Sequence, residues 1–453
     1  MSISRRGLLL AAATLSVASQ AKATSFTLSI ESRILEVKGR AAKVFGLVGS
    51  SGKPGLDMVL GERFALNLHN TLNEDTAIHW HGLTPPSDLD GVPMLSGTVT
   101  NAGETKVYDF ENRRAGTHWM HSHLGFQEQK LLAAPLIVHE TPNPLFDEQE
   151  HVILLHDFTF RDPLDILAEL QRSNGSDDMM SGMTMGSGIT YDAMLANDRT
   201  LDDPEILTVE KGGAIRLRII NGCAASNMWI DLGSLRGDLI AVDGNTILPI
   251  KASRFPLAIA QRADIRLQLP AGSGAWPVLF RAEGSPLRSG VILQTGTGDI
   301  RKLGDHGQSA DMLDLTMEAH IKSVAQIPFE PATHTEIVHL TGGSKHYSWG
   351  FNDKAMMHDT LFTVRQGERV EVIFQNTTNM AHPMHIHGHY FKVVGIGNTR
   401  IDGAVRDTIL VPAGERVAVQ FDADNPGQWA FHCHHLYHMN SGMMAAMGYS
   451  SAA

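Results

Sequence analysis

The chain has 453 residues, of which 43% are hydrophobic, and a formal net charge of −12 at pH 7. This length exceeds what one hydrophobic core usually supports, so we expect about three domains. The negative charge argues against a nucleic-acid partner. Only two cysteines are present, Cys223 and Cys433, which excludes a framework of several disulfides.

Residues 1–23 have the features of an export signal rather than those of a folded domain. Arg5 and Arg6 precede a short apolar run over residues 8–18, and a small-residue cleavage site follows at residues 21–23. Adjacent arginines are typical of signals read by the twin-arginine (Tat) export machinery, with a Sec signal or an uncleaved anchor as the alternatives. We therefore expect a mature protein in a bacterial periplasm, without membrane contact.

After the signal, the pattern is that of β-structure. Short runs of alternating apolar and polar residues, separated by Gly, Pro and Asn, occur at residues 64–68, 215–219, 370–374 and 417–421. Regularly spaced short strands predict an all-β fold built from Greek-key sandwiches or barrels.

A weak internal repeat indicates three copies of one unit. In each copy a glycine turn precedes a strand that ends in asparagine, at Asn70, Asn221 and Asn376. The copies are spaced roughly 150 residues apart, which supports the expectation of three domains.

Ten of the 23 histidines, together with Cys433, fall into four short windows. The windows contain His79 and His81; His121 and His123; His382, His385 and His387; and His432, Cys433, His434 and His438. Residues two apart in a strand point to the same face, so each His-x-His pair can direct two imidazoles into one cavity. Imidazole and thiolate are ligands that copper prefers. Accidental clustering is a poor alternative for four such windows, so the pattern predicts copper sites.

One subset fits a blue-copper electron-transfer site, which uses two histidines, a cysteine and a weak thioether. The residues are His382, Cys433, His438 and Met443. The eight other histidines suffice for a second, larger copper site. Cys433 alternates with two of them along one strand, so the two sites should lie on opposite faces of that strand, roughly 10 Å apart.

The windows occur only in the first and third units. A shared site therefore requires these two units to meet, and the middle unit becomes a spacer or a wall of the substrate site.

Further stretches accompany the windows, at residues 79–82, 90–93, 116–121, 216–222 and 442–444. Windows and stretches together resemble the multicopper oxidase family, which includes laccases, copper-efflux oxidases and copper-resistance proteins. The resemblance covers nearly all of the chain after the export signal. It implies three cupredoxin domains, near residues 24–145, 146–304 and 305–453.

The resemblance also implies four copper ions per chain, and one-electron oxidation of a small reductant coupled to four-electron reduction of O₂ to water. The type 1 ion would occupy the blue-copper set, and electrons would leave Cys433 through the backbone to a flanking histidine. By the family's pattern, the type 2 ion is held by His79 and His385, one type 3 ion by His81, His121 and His434, and the other by His123, His387 and His432.

Asp90 matches an acidic residue that relatives place beside the trinuclear copper site, where it would supply protons. The alternative is a turn-forming role before Gly91. Copper-efflux relatives often have another acidic residue directly after the last type 1 histidine, but this chain has Met439 there. A proton route therefore cannot be transferred from those enzymes.

Two features bear on the reductant. A Gly/Ser-rich stretch contains the methionines Met179, Met180, Met183 and Met185. Thioethers bind Cu(I), so this cluster and Met380, close to His382, favour a cuprous substrate; a disordered loop is the alternative for the cluster. Thr378 stands where the closest efflux relatives have aspartate, which weakens the cuprous interpretation. Phenols and aromatic amines, the substrates of laccases, therefore stay open.

Proteins of other classes fit this pattern less well. A copper-tolerance protein whose main role is detoxification or sequestration of Cu(I) would explain the methionines, but it does not require eight convergent histidines. A copper-free cupredoxin protein should have lost several of them. A two-domain nitrite reductase would lack the paired windows.

Overall fold

A computed structural model describes residues 25–140, 147–172, 188–325, 330–343, 345–356 and 359–450. Within these ranges β-strands dominate and the α-helices are short, so the predicted all-β class is confirmed. The predicted export signal, residues 1–23, and the methionine cluster with Met179, Met180, Met183 and Met185 lie outside the described residues. No helix of the described ranges is long and apolar enough to cross a bilayer.

The first part of the chain forms two four-stranded sheets. Its strands are β1 (Phe26–Val37), β2 (Arg40–Gly49), β3 (Leu56–Val59), β4 (Arg63–Asn70), β5 (Ile78–His81), β6 (Thr105–Glu111), β7 (Gly116–Ser122) and β8 (Ala133–His139). The strand orders are β2-β1-β4-β6 and β3-β8-β7-β5. Alternate residues of β4 are buried, because Phe64, Leu66 and Leu68 share the face of the strand that points to the core. A 3₁₀ turn at Ser87–Leu89 follows β5.

The middle part forms a six-stranded and a five-stranded sheet. Its strands are β9 (Glu148–Phe158), β10 (Ala193–Ala196), β11 (Glu205–Thr208), β12 (Ala214–Asn221), β13 (Met228–Asp231), β14 (Gly237–Val242), β15 (Asn245–Ala252), β16 (Arg254–Leu257), β17 (Arg262–Gln268), β18 (Gly274–Ala282) and β19 (Arg288–Thr295). The orders are β10-β9-β12-β17-β14-β15 and β11-β19-β18-β13-β16. Helix α1 (Pro163–Arg172) follows β9 and buries Ile166 and Leu170.

The third part forms a seven-stranded and a five-stranded sheet. Its strands are β20 (His334–Gly343), β21 (Ser348–Phe351), β22 (Thr360–Val364), β23 (Arg369–Asn376), β24 (His382–Ile386), β25 (Phe391–Ile396), β26 (Thr399–Arg400), β27 (Val405–Arg406), β28 (Thr408–Val411), β29 (Arg416–Asp422), β30 (Gln428–Cys433) and β31 (Met444–Tyr449). The orders are β21-β20-β23-β29-β25-β26, with β27 on β25, and β22-β31-β30-β24-β28. Helix α2 (Leu436–Met439) follows β30, and 3₁₀ turns lie at Glu318–His320 and Lys345–Tyr347.

The asparagine that ends the repeated strand has the same environment in all three parts. Strands β4, β12 and β23 each pair in parallel with the first strand of their part. Asn70 donates to Thr100 O at 3.1 Å, Asn221 to Leu257 O at 3.0 Å and Asn376 to Val411 O at 3.0 Å. Each amide oxygen also accepts from the backbone N–H two residues further on. The repeat in the sequence therefore encodes a repeated turn.

Strand pairing brings the histidine windows together. Strands β5 and β7 are antiparallel, with His79 opposite His121. Strands β24 and β30 are antiparallel as well, with His385 opposite His432. The two sheets face each other closely, since the rings of His81 and His385 stack with centroids 3.9 Å apart.

The apolar core is continuous between the middle and third parts, whereas the first part has a separate core around Phe64 and Trp80. Buried polar contacts join the first part to the others. Thr117 Oγ1, for example, donates to Asp264 Oδ1 of the middle part at 2.6 Å.

Candidate metal centre

The ten histidines of the four windows lie on or directly after β5, β7, β24 and β30, or in α2. Every one is at least nine-tenths buried, and Cys433 and Met443 are fully buried. The structure therefore gathers the whole set of predicted ligand residues in the interior.

Eight of the histidines form one cluster between the first and third parts. His432 Nε2 lies 2.9 Å from His387 Nε2 and 3.4 Å from His123 Nε2. Ring nitrogens within 4.8 Å of one another define three groups: His79, His81 and His385; His81, His121 and His434; and His123, His387 and His432. The second and third groups coincide with the two sets expected for type 3 ions. The pair expected for the type 2 ion lies in the first group, beside His81.

The remaining two histidines form a separate group with the cysteine. Cys433 Sγ lies 3.6 Å from His382 Nδ1 and 3.8 Å from His438 Nδ1, and these two nitrogens are 3.2 Å apart. The main-chain N–H of Cys433 donates to Met443 O at 3.1 Å, which ties the loop carrying Met443 to this strand. The arrangement matches the predicted two-histidine, one-cysteine set.

Burial keeps nine of these ten imidazoles neutral. It lowers the pKa of His382 and of His432 to about 3. It also holds the pKa of the histidines His81, His121, His123, His385, His387, His434 and His438 well below the usual value. Burial raises the pKa of the Cys433 thiol. Neutral imidazoles are ready to bind a metal, whereas the thiol would release its proton on binding.

Several converging ring nitrogens have no hydrogen-bond partner. They are His79 Nε2, His81 Nδ1 and His385 Nε2. The other ring nitrogen is held in each case: His79 Nδ1 donates to Asp90 O at 3.1 Å, His385 Nδ1 to Asp407 O at 2.7 Å and His81 Nε2 to Asp407 Oδ1 at 3.0 Å. Buried polar atoms without a partner are costly, and metal coordination would satisfy a convergent set of them. These residues therefore fit copper.

Family models of multicopper oxidases match residues 30–143, 149–295 and 328–452. The chain belongs to the multicopper oxidase family. It is therefore an oxidoreductase with O₂ as the electron acceptor, as the resemblance in the sequence predicted.

Similar proteins include two bacterial relatives and one solved structure. The chain is 28% identical over 413 residues to multicopper oxidase MmcO of Mycobacterium tuberculosis, which covers 87% of this chain and 81% of that protein. It is 26% identical over 568 residues to copper resistance protein A of Escherichia coli, with coverage of 95% and 93%. The crystal structure of Fet3p, a multicopper oxidase that functions in iron import, superposes with a TM-score of 0.79 at 19% identity and covers 94% and 90%. The predicted cupredoxin fold is thereby confirmed.

In this multicopper oxidase, Asp90 is fully buried beside two histidines of the cluster. Its Oδ2 accepts from His387 Nδ1 at 2.8 Å and from Ser96 Oγ at 3.0 Å. Its Oδ1 lies 3.1 Å from His79 Nδ1, but that nitrogen is aimed at the main-chain oxygen of Asp90, so Oδ1 has no hydrogen-bond partner. Asp90 also follows the 3₁₀ turn at Ser87–Leu89. It therefore occupies a turn and contacts the cluster at the same time.

Two further buried carboxylates contact the cluster, and sequence reasoning missed both. Glu128 Oε2 lies 3.0 Å from His121 Nδ1, and Asp407 Oδ1 accepts from His81 Nε2 at 3.0 Å. Burial, followed by repulsion from Asp157, holds the pKa of Glu128 well above the usual value. Neither acid belongs to a histidine window or follows a window at a regular spacing, so no local sequence pattern could have indicated them. Chain folding alone brings them to the histidines.

The Cys433 group of this multicopper oxidase has polar and aromatic support. His382 Nε2 donates to Thr378 Oγ1 at 2.8 Å, which holds Nδ1 toward the sulfur. The Trp349 ring lies 4.1 Å from the His438 ring, and His435 stacks on His438 at 3.8 Å. Met380 is partly buried nearby, packed against the core. Sequence reasoning missed Trp349 and His435, and considered Thr378 only as a departure from efflux enzymes.

Proposed function

We propose that this multicopper oxidase holds four copper ions and transfers single electrons from a small reductant to O₂, which is reduced to water. The type 1 ion belongs to the Cys433 group with Met443 as the weak fourth ligand, and the three other ions belong to the eight-histidine cluster in the sets given above. The observation that carries this proposal is the convergence of unpartnered ring nitrogens beside a two-histidine, one-cysteine group. Bound copper supplies the reversible one-electron chemistry and the site for O₂.

The chain itself contributes a dry and rigid site. The ligand histidines are at least nine-tenths buried, and most sit on paired strands rather than on loops. Fixed ligands in a closed space keep metal geometry and prevent reactive oxygen species from escaping.

The Cys433 backbone connects the two groups. Cys433 follows His432 and precedes His434, and strand alternation directs its side chain away from theirs. An electron that enters beside Cys433 therefore has a covalent path to the histidine cluster. The reductant and O₂ can react at separate places without meeting.

Reduction of O₂ to two waters consumes four protons, and we assign their delivery to Asp90. Its Oδ2 is occupied by hydrogen bonds from His387 and Ser96, whereas Oδ1 has no partner. A proton held on Oδ1 would lie beside the cluster, where it can be given up as charge develops on oxygen.

We favour Cu(I) as the reductant. Met380 lies two residues before His382 and is only partly buried. Thioethers beside the type 1 ligands suit a soft cuprous ion. The copper resistance relative and the methionine cluster at residues 179–185 support the same assignment.

Phenols and aromatic amines are the second class of candidate reductant, and their oxidation would be a laccase-like reaction. Trp229 and Leu315, both partly buried, pack in one apolar group with Ala381, which precedes His382. This surface offers a flat apolar contact for an aromatic ring close to a type 1 ligand.

We further propose that the Tat machinery exports the protein to a bacterial periplasm after recognition of Arg5 and Arg6. The domain boundaries near residues 24–145, 146–304 and 305–453 are supported by the three pairs of sheets and by the three ranges that the family models match. The net negative charge of the chain argues against a nucleic-acid partner.

The test is O₂ uptake by one copper-loaded sample, supplied in turn with Cu(I) and with 2,6-dimethoxyphenol. We expect both to support uptake without release of H₂O₂, with the higher kcat/KM for Cu(I). Loaded Cys433→Ser protein is the control for uncatalysed oxidation. Release of H₂O₂ in proportion to uptake, or no uptake above the control with either reductant, would contradict the proposal.

A further inference from the structure

The guanidinium group of Arg262 lies where all three parts of the chain meet. Arg262 begins β17 of the middle part and is fully buried. Its Nε donates to Thr117 O of the first part at 3.0 Å, and its Nη1 donates to Asp407 Oδ1 of the third part at 2.7 Å. Its Nη2 donates to the second oxygen of Asp407, so the pair is bidentate. Bidentate pairing fixes the plane of the carboxylate as well as its position.

Asp407, oriented in this way, contacts two histidines of the cluster. Its Oδ1 accepts from His81 Nε2 at 3.0 Å, and its main-chain oxygen accepts from His385 Nδ1 at 2.7 Å. The first contact sets the tautomer of His81, because a ring nitrogen that donates to a carboxylate leaves the other nitrogen as a lone-pair ligand. In His81 that other atom is Nδ1, which is one of the buried nitrogens without a partner.

The residue after His81 makes room for the guanidinium. Gly82 has a φ of +90°, and a Cβ there would lie 2.6 Å from Arg262 Nη2 and 2.5 Å from His118 Nδ1. Any side chain at this position would therefore collide with the arginine. A neighbouring contact reinforces the junction, since Gln261 Nε2 donates to Thr408 O at 3.1 Å.

We infer that Arg262 is a positioning residue for the histidine cluster: it orients the Asp407 carboxylate, which holds His81 with Nδ1 directed at the other ligands. The middle part, which has no ligand of its own, thus acts on the cluster rather than serving only as a spacer. The inference rests on the proposed copper cluster.

The test is Arg262→Lys, which keeps the positive charge but cannot form the bidentate pair. We measure copper ions per chain during titration with a chelator, the electron paramagnetic resonance spectrum of the type 2 ion, and the blue absorption of the type 1 ion. We expect copper affinity at the cluster to fall by about 10-fold to 100-fold. The type 2 spectrum should change while the blue absorption stays, because His382, Cys433 and His438 do not contact Asp407.

Arg406→Lys is the matched control. Arg406 is also buried, and its guanidinium group pairs with Glu318 and Asp243 rather than with Asp407. We expect a similar loss of thermal stability with an unchanged type 2 spectrum and unchanged copper affinity. If Arg262→Lys does not fold, Asp407→Asn replaces it and should alter the same two signals.

The outcomes separate this inference from the proposed function. A four-copper wild type whose cluster affinity and type 2 spectrum are the same in Arg262→Lys and Arg406→Lys would overturn the positioning role alone. A wild type that binds a single copper ion would overturn the proposed function.

Discussion

Asp90 and His387 are 297 residues apart in the sequence, and they meet in the interior, where His387 Nδ1 donates to Asp90 Oδ2 at 2.8 Å. The other nitrogen of the same ring lies 2.9 Å from His432 Nε2, inside the cluster. The Asp90 carboxylate therefore orients a candidate ligand, His387. Only the His387 ring separates it from the centre of the cluster, where O₂ would react. Asp90 could therefore supply protons or only form the turn, and a substitution can distinguish these two roles.

Asp90→Asn should slow O₂ reduction by about 100-fold or more, because the amide cannot supply a proton. Copper content and reduction of the type 1 ion should stay unchanged, since Asn keeps an acceptor for His387. Stopped-flow reoxidation by O₂ measures the step directly. Ser96→Ala is the control, since it removes a neutral donor to the same carboxylate and should have a small effect. Equal reoxidation rates in Asp90→Asn and wild type would return Asp90 to a turn-forming role.

Cys433→Ser should abolish the intense blue absorption and electron entry, because a hydroxyl does not replace the thiolate as a copper ligand. The eight-histidine cluster should still bind copper. Cys223→Ser is the matched control: Cys223 is buried just after β12 and belongs to none of the ligand groups among the described residues, so the variant should keep both colour and turnover. Visible absorption spectra of the two loaded proteins decide the point. Blue absorption retained in Cys433→Ser would contradict the type 1 role.

The ligand histidines could be predicted because strand geometry makes them a local pattern. His79 and His81 share a strand face by simple alternation, and so do the members of the other pairs. The same holds for the local part of the repeated asparagine turn, in which Asn70 bonds to Leu72 and Glu74, whereas its bond to Thr100 O spans 30 residues. Contacts between residues close together in the chain can be predicted directly from the sequence.

The supporting residues could not be predicted because they depend on how distant segments pack. Glu128 and Asp407 reach the histidines from loops at irregular spacing, and Arg262 reaches Asp407 from a different part of the chain. The expectation that the middle part is a spacer or a wall of the substrate site did not include the contact of Arg262 with Asp407, for the same reason. A buried charged residue produces no periodic pattern in the sequence, and its partner can be identified only from the three-dimensional structure.

Deletion of residues 179–185 should lower kcat/KM for Cu(I) and leave phenol oxidation unchanged or improved, because thioethers help a soft ion but not a bulky ring. Steady-state kinetics with both reductants on the same preparation measure the split. Replacing the four methionines of this segment by leucine is the control, which keeps its length and apolarity. Collapse of phenol oxidation alone would instead make the segment part of an organic-substrate pocket.

Stability should fall as pH falls below 6.5, in part through His156. Burial lowers the pKa of His156 to about 4, so the folded state holds this ring neutral while the unfolded state takes up a proton near pH 6.5. Its contribution is therefore fully present above pH 6.5, and about 2 kcal/mol is lost by pH 5. His156→Gln, whose amide can still donate to Gly222 O, should show a shallower loss. Urea unfolding of both proteins at pH 7 and pH 5 gives the comparison, and an identical loss would contradict the assignment.

The most direct test of the account is the number of copper ions bound per chain, measured by elemental analysis of fully loaded and desalted protein. The described residues form one two-histidine, one-cysteine group and three histidine groups, two of which share His81, and we therefore expect four copper ions. The Cys433→Ser variant should then hold three. A wild type that binds only one copper ion, at the Cys433 group, would contradict the trinuclear cluster on which the proposed reduction of O₂ depends.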